Sequence, residues 1–419
     1  MRRSTAASFN EMTNRVVWRE TLKQGRQMLR HWLAAGADGV RSTGDDTQML
    51  ALNILLSAGF GRSYDFVSVA EDRAADKRID AMDYREAIKV VIENAIVIIG
   101  VGPHRLPALG ALSGKMAYVA KAYGMFQQYM VDMLDQGRKG DAASAKGNLL
   151  ESLVSASRDD KLLSQQEVFG NMFVYTFGGH DTTAHSLAWT FVLLSIHPEV
   201  QEWMREEIRE VLKGKDSDQW SYDDFARLKR TQAVQVRIQK RFQAGNAHAD
   251  ARGQFETIRL YNPVLGVLKG PVDRPVQLSV DDGKRSFSVG RDFSIVINTN
   301  AIHTSRRHWG EDALEWRPSR FVQTDEAGRE SLMVPPKGVF QPWGDGNRAC
   351  PGKKFAHVEH VATMAALFHG HAVEPVRERG ETTSQMTDRV RGVINDITIN
   401  LTLQMKHPER APLVWSKCP

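Results

Sequence analysis

Of the two cysteines in the 419 residues, Cys350 stands in the segment best suited to chemistry. It closes the run Phe340-Gln-Pro-Trp-Gly-Asp-Gly-Asn-Arg-Ala-Cys350-Pro-Gly352, and an amphipathic helical pattern follows at once, with Phe355, Val358, Val361, Ala362 and Ala365 on one face. That places the thiol at a helix N-terminus, where the dipole and free backbone N–H groups lower its pKa and stabilise the thiolate. Gly344, Gly346 and Gly352 let the backbone turn sharply and leave room for a flat cofactor to approach. Arg348, two residues before the thiol, suits an anionic edge of that cofactor. A cysteine without such neighbours reads as a small buried core residue.

Two further groups have useful spacing. Gly178-Gly179-His180-Asp181-Thr182-Thr183 lies midway along a long apolar helical stretch. Paired glycines loosen a helix, and an acid beside a hydroxyl makes a relay for protons, although the same residues also suit a kinked helix with a solvated aspartate. Glu256-Thr-Ile-Arg259 sets an acid and a base at i, i+3 on one helix face. On a surface such a pair is worth little.

Together these segments resemble the cytochromes P450. Trp343, Gly346, Cys350 and Gly352 fall in register with that family's cysteine loop, with Arg348 at its basic position; Trp343 in place of the commoner Phe looks like a fungal variant and keeps a flat apolar cover over the thiolate. The Gly178–Thr183 segment matches the family's distal-helix motif. Glu256 and Arg259 match its Glu-x-x-Arg, and Pro318-Ser319-Arg320-Phe321 its Pro-Glu-Arg-Phe, with Ser319 for Glu.

The resemblance implies haem b with Cys350 as axial iron ligand, and Trp343, Gly346, Arg348, Gly352, Gly178 and Gly179 around the cofactor. It implies a buried triad of Glu256, Arg259 and Arg320 that holds the cysteine loop. It also implies that Asp181 and Thr182 pass protons to dioxygen, and that electrons come from NADPH through a partner NADPH–cytochrome P450 reductase. The reaction would insert one oxygen atom into a small lipophilic substrate, in fungal secondary metabolism or on a xenobiotic. Two other outcomes stay open: a P450-fold enzyme that works without a reductase, whose kind often lacks the acid-alcohol pair, and a non-catalytic remnant unable to hold haem.

The elements that must position these residues are mainly helical. Val16–Ala35, Thr47–Leu56, Tyr84–Ile99 and Met116–Leu134 repeat apolar residues every three to four positions, and Gly137–Gly147 reads as a linker. Ser164 with Glu167 forms a capping box, after which the apolar pattern runs to Ile196; Met172–Phe177, apolar on every face, predicts a buried middle. Pro198 opens the next helix. Val276–Val280, Ser286–Val289 and Phe293–Asn298 read as short strands with Asp282-Gly283 as a turn, followed by an irregular stretch from Ala301 to Gln341 and a helix from Pro351 to Phe368. The expectation is one cytochrome P450 domain over 1–419, mainly α with a small β region.

Composition excludes several classes. With 42% hydrophobic and 25% charged residues the chain is globular rather than disordered. A net charge of +5 from scattered basic residues argues against nucleic-acid binding, and two distant thiols do not make a disulfide scaffold. Ser4–Glu11 is too polar for a signal peptide, while Val90–Val101 and Leu187–Ile196 are interrupted or too short to cross a bilayer. The chain as written is expected to be cytosolic or peripheral, and longer members to sit at the endoplasmic reticulum membrane. Measured against the family it begins late, without a membrane anchor, the first helices or the first strands, and with Arg2 or Arg3 as the last remnant of a propionate-binding helix. Val236–Gln254, polar, basic and without helical period, interrupts what should be one helix and reads as an insertion or a retained intron.

Overall fold

A computed structural model describes residues 8–67, 82, 84–111, 113–139, 148–158, 164–235, 256–270, 274–280 and 283–418. Arg2, Arg3, Asp282, 140–147 and 236–254 lie outside the described residues.

Helix α1 (Glu11–Ala34) starts where the Asn10 side chain accepts from Thr13 N at 3.0 Å, capping one free N–H. Its buried Val17, Trp18, Leu22, Met28, Leu29 and Trp32 face α2 (Thr43–Phe60) and a C-terminal helix described below. A thin outer layer follows: α3 (Tyr84–Glu93), α4 (Ala95–Val101), α5 (Leu106–Gly110), α6 (Gly114–Lys139) and α7 (Leu149–Arg158). The single helix expected over Tyr84–Ile99 is broken at Asn94, whose side-chain amide donates to Val90 O at 2.8 Å and competes with the helical ladder.

The long helix is α8 (Gln165–Ser195), capped by the reciprocal Ser164–Glu167 bonds and about 46 Å long at 1.5 Å per residue. Met172–Phe177 is buried on one face only, where Met172 and Thr176 are inaccessible. Val174 is 57% exposed, whereas Leu187, Trp189, Phe191, Val192 and Leu194 are fully inaccessible. Residues 170, 174 and 178 form an exposed strip at i, i+4 spacing, while α2 packs along α8 elsewhere.

Helices α9 (Pro198–Leu212), α10 (Lys229–Gln235) and α11 (Glu256–Leu260) lead to five antiparallel strand pairs. Strand β1 (Gly266–Lys269) pairs with β4 (Ile295–Asn298), and β2 (Val276–Val280) with β3 (Arg285–Val289). The stretch from 301 to 341 is not irregular throughout: it holds most of α12 (Thr299–His303), then α13 (Arg306–Trp309) and the hairpin of β5 (Val322–Thr324) and β6 (Glu330–Leu332). These elements are too short to show a period in sequence. Helix α14 (Lys353–Phe368) follows, then β7 (His371–Pro375), α15 (Thr383–Asn395), the hairpin β8 (Ile397–Asn400)–β9 (Thr402–Met405), and β10 (Leu413–Lys417) paired with β7.

Helix α14 begins at Lys353, not Pro351, with Gly352 as its N-cap residue. Nor is it amphipathic. Every residue from His357 to Phe368 is buried, since α1 packs on one side and α9, α10 and β7 on the others. Close crossings are made by glycine: a Cβ on Gly25 would lie 3.0 Å from Ala366 Cβ, and one on Gly179 would lie 3.1 Å from Leu55 Cδ1. Among the described residues no helix is long and apolar enough to cross a membrane.

The two adjacent glycines of α8 therefore predict opposite responses. A Cβ on Gly178 would meet nothing within 4 Å, so Gly178→Ala should raise stability by up to ~1 kcal/mol through helix propensity. Gly179→Val should cost ~1–3 kcal/mol by overpacking against Leu55. Thermal unfolding of both variants checks this, and equal shifts of the same sign would contradict the packing.

Candidate active site

Glu256 and Arg259 share one face of the single turn of α11 and are completely buried. Arg259 Nε donates to Glu256 Oε2 at 2.7 Å and its Nη2 to Oε1 at 2.9 Å, a bidentate fork. Arg320, on the short turn Pro318–Phe321, adds a bond from Nε to Glu256 Oε1 at 2.8 Å, and Arg317 N donates to the same oxygen at 2.9 Å. The remaining guanidinium hydrogens reach backbone carbonyls: Arg259 donates to His303 O and Ala313 O, at 2.7 and 2.6 Å, and Arg320 to Asp312 O at 2.9 Å. Burial alone would push the Asp312 carboxyl up, but the Arg320 bond and charge outweigh it and hold the group low. Glu256 and Asp312 thus face Arg259, Arg320 and, for Asp312, the more exposed Arg317, which offsets much of the cost of burying them.

His303 joins the cluster to the cysteine loop. Its carbonyl accepts from Arg259, while its ring Nε2 accepts from Gln341 N at 2.9 Å. Burial first, and the Arg259 charge second, push His303 down to about 3, so the ring is neutral and able to accept. Phe340 packs beside it among Trp309, Phe321 and Trp343. No spacing in the sequence marks His303.

From Gln341 the loop folds on itself. Gly344 and Gly346 take φ of 67° and 71°, and Cys350 N donates to Trp343 O at 2.9 Å, closing the loop. Trp343 is half-buried, edge-on to His357 at 4.8 Å between centroids, with Lys353 Nζ 5.0 Å from its ring centre. Cys350 is exposed and stands two residues before the N-cap of α14, a little outside the helix start that the sequence suggested. Arg348 is exposed on the turn Gly346–Arg348. A Cβ on Gly352 would lie 3.8 Å from Cys350 Sγ and 3.7 Å from Phe9, and Phe9 in turn meets Tyr175 of α8 at 5.9 Å between ring centroids. Phe9 therefore links the cysteine loop to the long helix, another contact with no signal in the sequence.

On α8 the expected acid-alcohol pair is not a bonded pair. Thr182 Oγ1 donates to Gly178 O at 2.8 Å, while Asp181 is held by His185 Nε2 at 3.2 Å and by the Thr402 hydroxyl. Gly178 opens to the uncovered strip and Gly179 packs on Leu55, so the two glycines do different things. His185 was findable in sequence at i+4 from Asp181; Thr402 was not. Toward the N-terminal end of α8, Phe169, Gly170 and Phe173 line a cavity of about 630 Å³ with Ile98, Leu106 and Met130 of the outer layer, mostly apolar with His104, Tyr123 and Gln127 as polar groups.

One exposed soft donor, three loop glycines and an open helix strip fit a flat iron macrocycle that brings its other ligands with it. Among the described residues no cluster of three or more His, Cys, Asp or Glu side chains is arranged to hold a bare ion.

Comparison with known proteins agrees with this arrangement. The chain matches the cytochrome P450 family over residues 1–235 and 255–400, and it belongs to that family. It is 26% identical to cytochrome P450 monooxygenase 124 of Postia placenta, over 99% of this chain and 74% of that protein, and 28% identical to a cytochrome P450 monooxygenase of Arthrobotrys oligospora, over 97% and 72%. A phomenoic acid biosynthesis cluster cytochrome P450 monooxygenase of Leptosphaeria maculans is 26% identical over 92% of this chain and 67% of that protein. The fold is that of the crystal structure of the cytochrome P450 CYP102L1, with a TM-score of 0.66 at 17% identity, covering 100% of this chain and 81% of the other. Membership implies a haem iron cofactor.

The neutral His303 sets an acid limb. In the unfolded chain the ring takes a proton near pH 6.5, in the fold only near pH 3, so its contribution is full above pH 6.5 and is lost as pH falls. From pH 7 to pH 5 the loss should be about 2 kcal/mol. His180 and His360, also pushed down by burial, add slopes of the same sign, so the difference between the parent and His303→Phe is what reports. The variant should be less stable at pH 7 but lose less on acidification; parallel limbs would reject the assignment.

Proposed function

We propose that this chain is a haem-thiolate monooxygenase that inserts one atom of dioxygen into a lipophilic organic substrate and reduces the other to water. The carrying observation is the path from the buried Glu256–Arg259–Arg320 cluster through His303 to Gln341, which fixes the loop that presents Cys350. Cys350 supplies the axial thiolate. Gly346, Gly352 and Gly178 leave flat clearance, Trp343 covers the thiolate side, and Arg348 meets an anionic edge of the macrocycle. Haem bound there supplies dioxygen activation, which a thiolate ligand favours by donating electron density. Asp181 and Thr182 would supply protons for the reaction, and Gly179 sets how closely α8 approaches α2.

NADPH–cytochrome P450 reductase is the proposed electron source. The apolar cavity beside α8 suits a lipophilic substrate, as does similarity to a monooxygenase from a biosynthesis cluster. Reading Cys350 as the ligand predicts a red-shifted Soret band in the reduced, carbon monoxide-treated chain and none in Cys350→Ala. A band of equal intensity in both would reject it.

The interruption of the family match between 235 and 255 supports reading Val236–Gln254 as an insertion, retained from an intron. Deleting Val236–Gln254 should leave the haem content unchanged or raise it, and the spliced message should lack the segment. A message that keeps it in frame, with a deletion variant that no longer folds, would make it a genuine part of the domain.

A further inference from the structure

Asp181 makes two bonds that a simple acid-alcohol relay does not need. Its Oδ1 lies 3.2 Å from His185 Nε2, one turn further along α8, and its Oδ2 accepts from the Thr402 hydroxyl at the start of β9. A carboxylate can only accept, so His185 Nε2 carries the hydrogen. Asp181, His185 and Thr402 are 5%, 8% and 2% exposed, so water does not compete freely for these bonds. Thr402 is delivered by a strained tip: its neighbour Leu401 has φ 73°, the one positive value outside glycine among the described residues, and Leu403 N is pinned to Pro263 O at 2.9 Å. Thr182 is not one of the partners that hold the carboxylate, its hydroxyl donating to Gly178 O.

We propose that His185 and Thr402 are positioning residues for Asp181, tethering its carboxylate as an anion toward the β8–β9 hairpin, so that protons reach dioxygen only when Asp181 exchanges one tether. This rests on the monooxygenase reading. Burial by itself would push the Asp181 carboxyl up; the His185 bond and charge and the Thr402 hydroxyl outweigh it and hold it low. The other charged groups nearby are His180 on α8, neutral through burial, and Lys89 of α3, which acts on His180; the hairpin Ile397–Met405 carries no charged side chain. His180 itself is turned to the Gln48 backbone of α2.

The full chain, with haem and in the variants Thr402→Val, His185→Phe and His185→Gln, gives two independent readouts. The first is infrared: the Asp181 carboxylate band, isolated by difference against Asp181→Asn, should remain that of the anion at pH 6 in the parent and in His185→Gln, which keeps an N–H donor. In His185→Phe it should shift to the protonated form. The second is NADPH-driven dioxygen consumption with the reductase in light and heavy water. Thr402→Val should speed it by a few-fold to about tenfold and shrink the solvent isotope effect, as expected when a proton-transfer group turns more freely. An unshifted band in His185→Phe together with unchanged rates and isotope effect in Thr402→Val would overturn the proposal, as would failure of His185→Gln to restore the anion. A parent chain that lacks the thiolate carbon monoxide band would reject the monooxygenase reading instead, while the infrared band, which needs no haem, would still decide the tethering.

Discussion

The buried carboxylate of Glu256 is the constraint around which the C-terminal half is arranged. An isolated ionised group at zero exposure would cost many kcal/mol, and one arginine in a single-turn helix would leave its own donors unmet. Arg259 and Arg320 together satisfy the acid, but their spare hydrogens then demand carbonyls, and these come from His303, Ala313, Asp312 and Glu315. The irregular path from α12 to β5 is the chain laid around those donors. With the backbone fixed, His303 has one ring nitrogen in place for Gln341, and the cysteine loop inherits a fixed starting point.

What was legible follows from this. Motifs that carry chemistry through residue type, such as Cys350 with its glycines or Glu256 with Arg259, show themselves at fixed spacing, and the structure brings the latter together with Arg320 from 61 positions after Arg259 in the order expected. The long helices were legible through their period, and α8 through its capping box. Sequence reading failed where meaning depends on the far side of a contact. Gly178 and Gly179 are the same residue type at adjacent positions, yet one opens outward and the other receives Leu55. The sequence marked Asp181 and Thr182 as an acid beside a hydroxyl but not what holds each of them: neighbours on a helix are about 100° apart, and each side chain found a partner at i+4, i−4 or in a distant strand.

The α14 error has a similar origin. Phe355, Val358, Val361, Ala362 and Ala365 do define an apolar face, and His357, Glu359 and His360 appear to define a polar one. All are buried, and burial pushes Glu359 well up and His357 well down, each toward its uncharged form. Residue type alone gives the wrong face because the helix is surrounded, and the cost of burying those groups is reduced by giving up their charge.

The packing of α10 on α11 has a consequence for how the gene can vary. Gln235 and Glu256 end and begin two helices in mutual contact, so the chain between them leaves one place and returns to it. Closing such an excursion costs conformational entropy that grows only with the logarithm of its length, about 0.6 kcal/mol for each doubling. Lengthening an excursion once it exists therefore costs little, and a fold that tolerates its first few residues also tolerates many more.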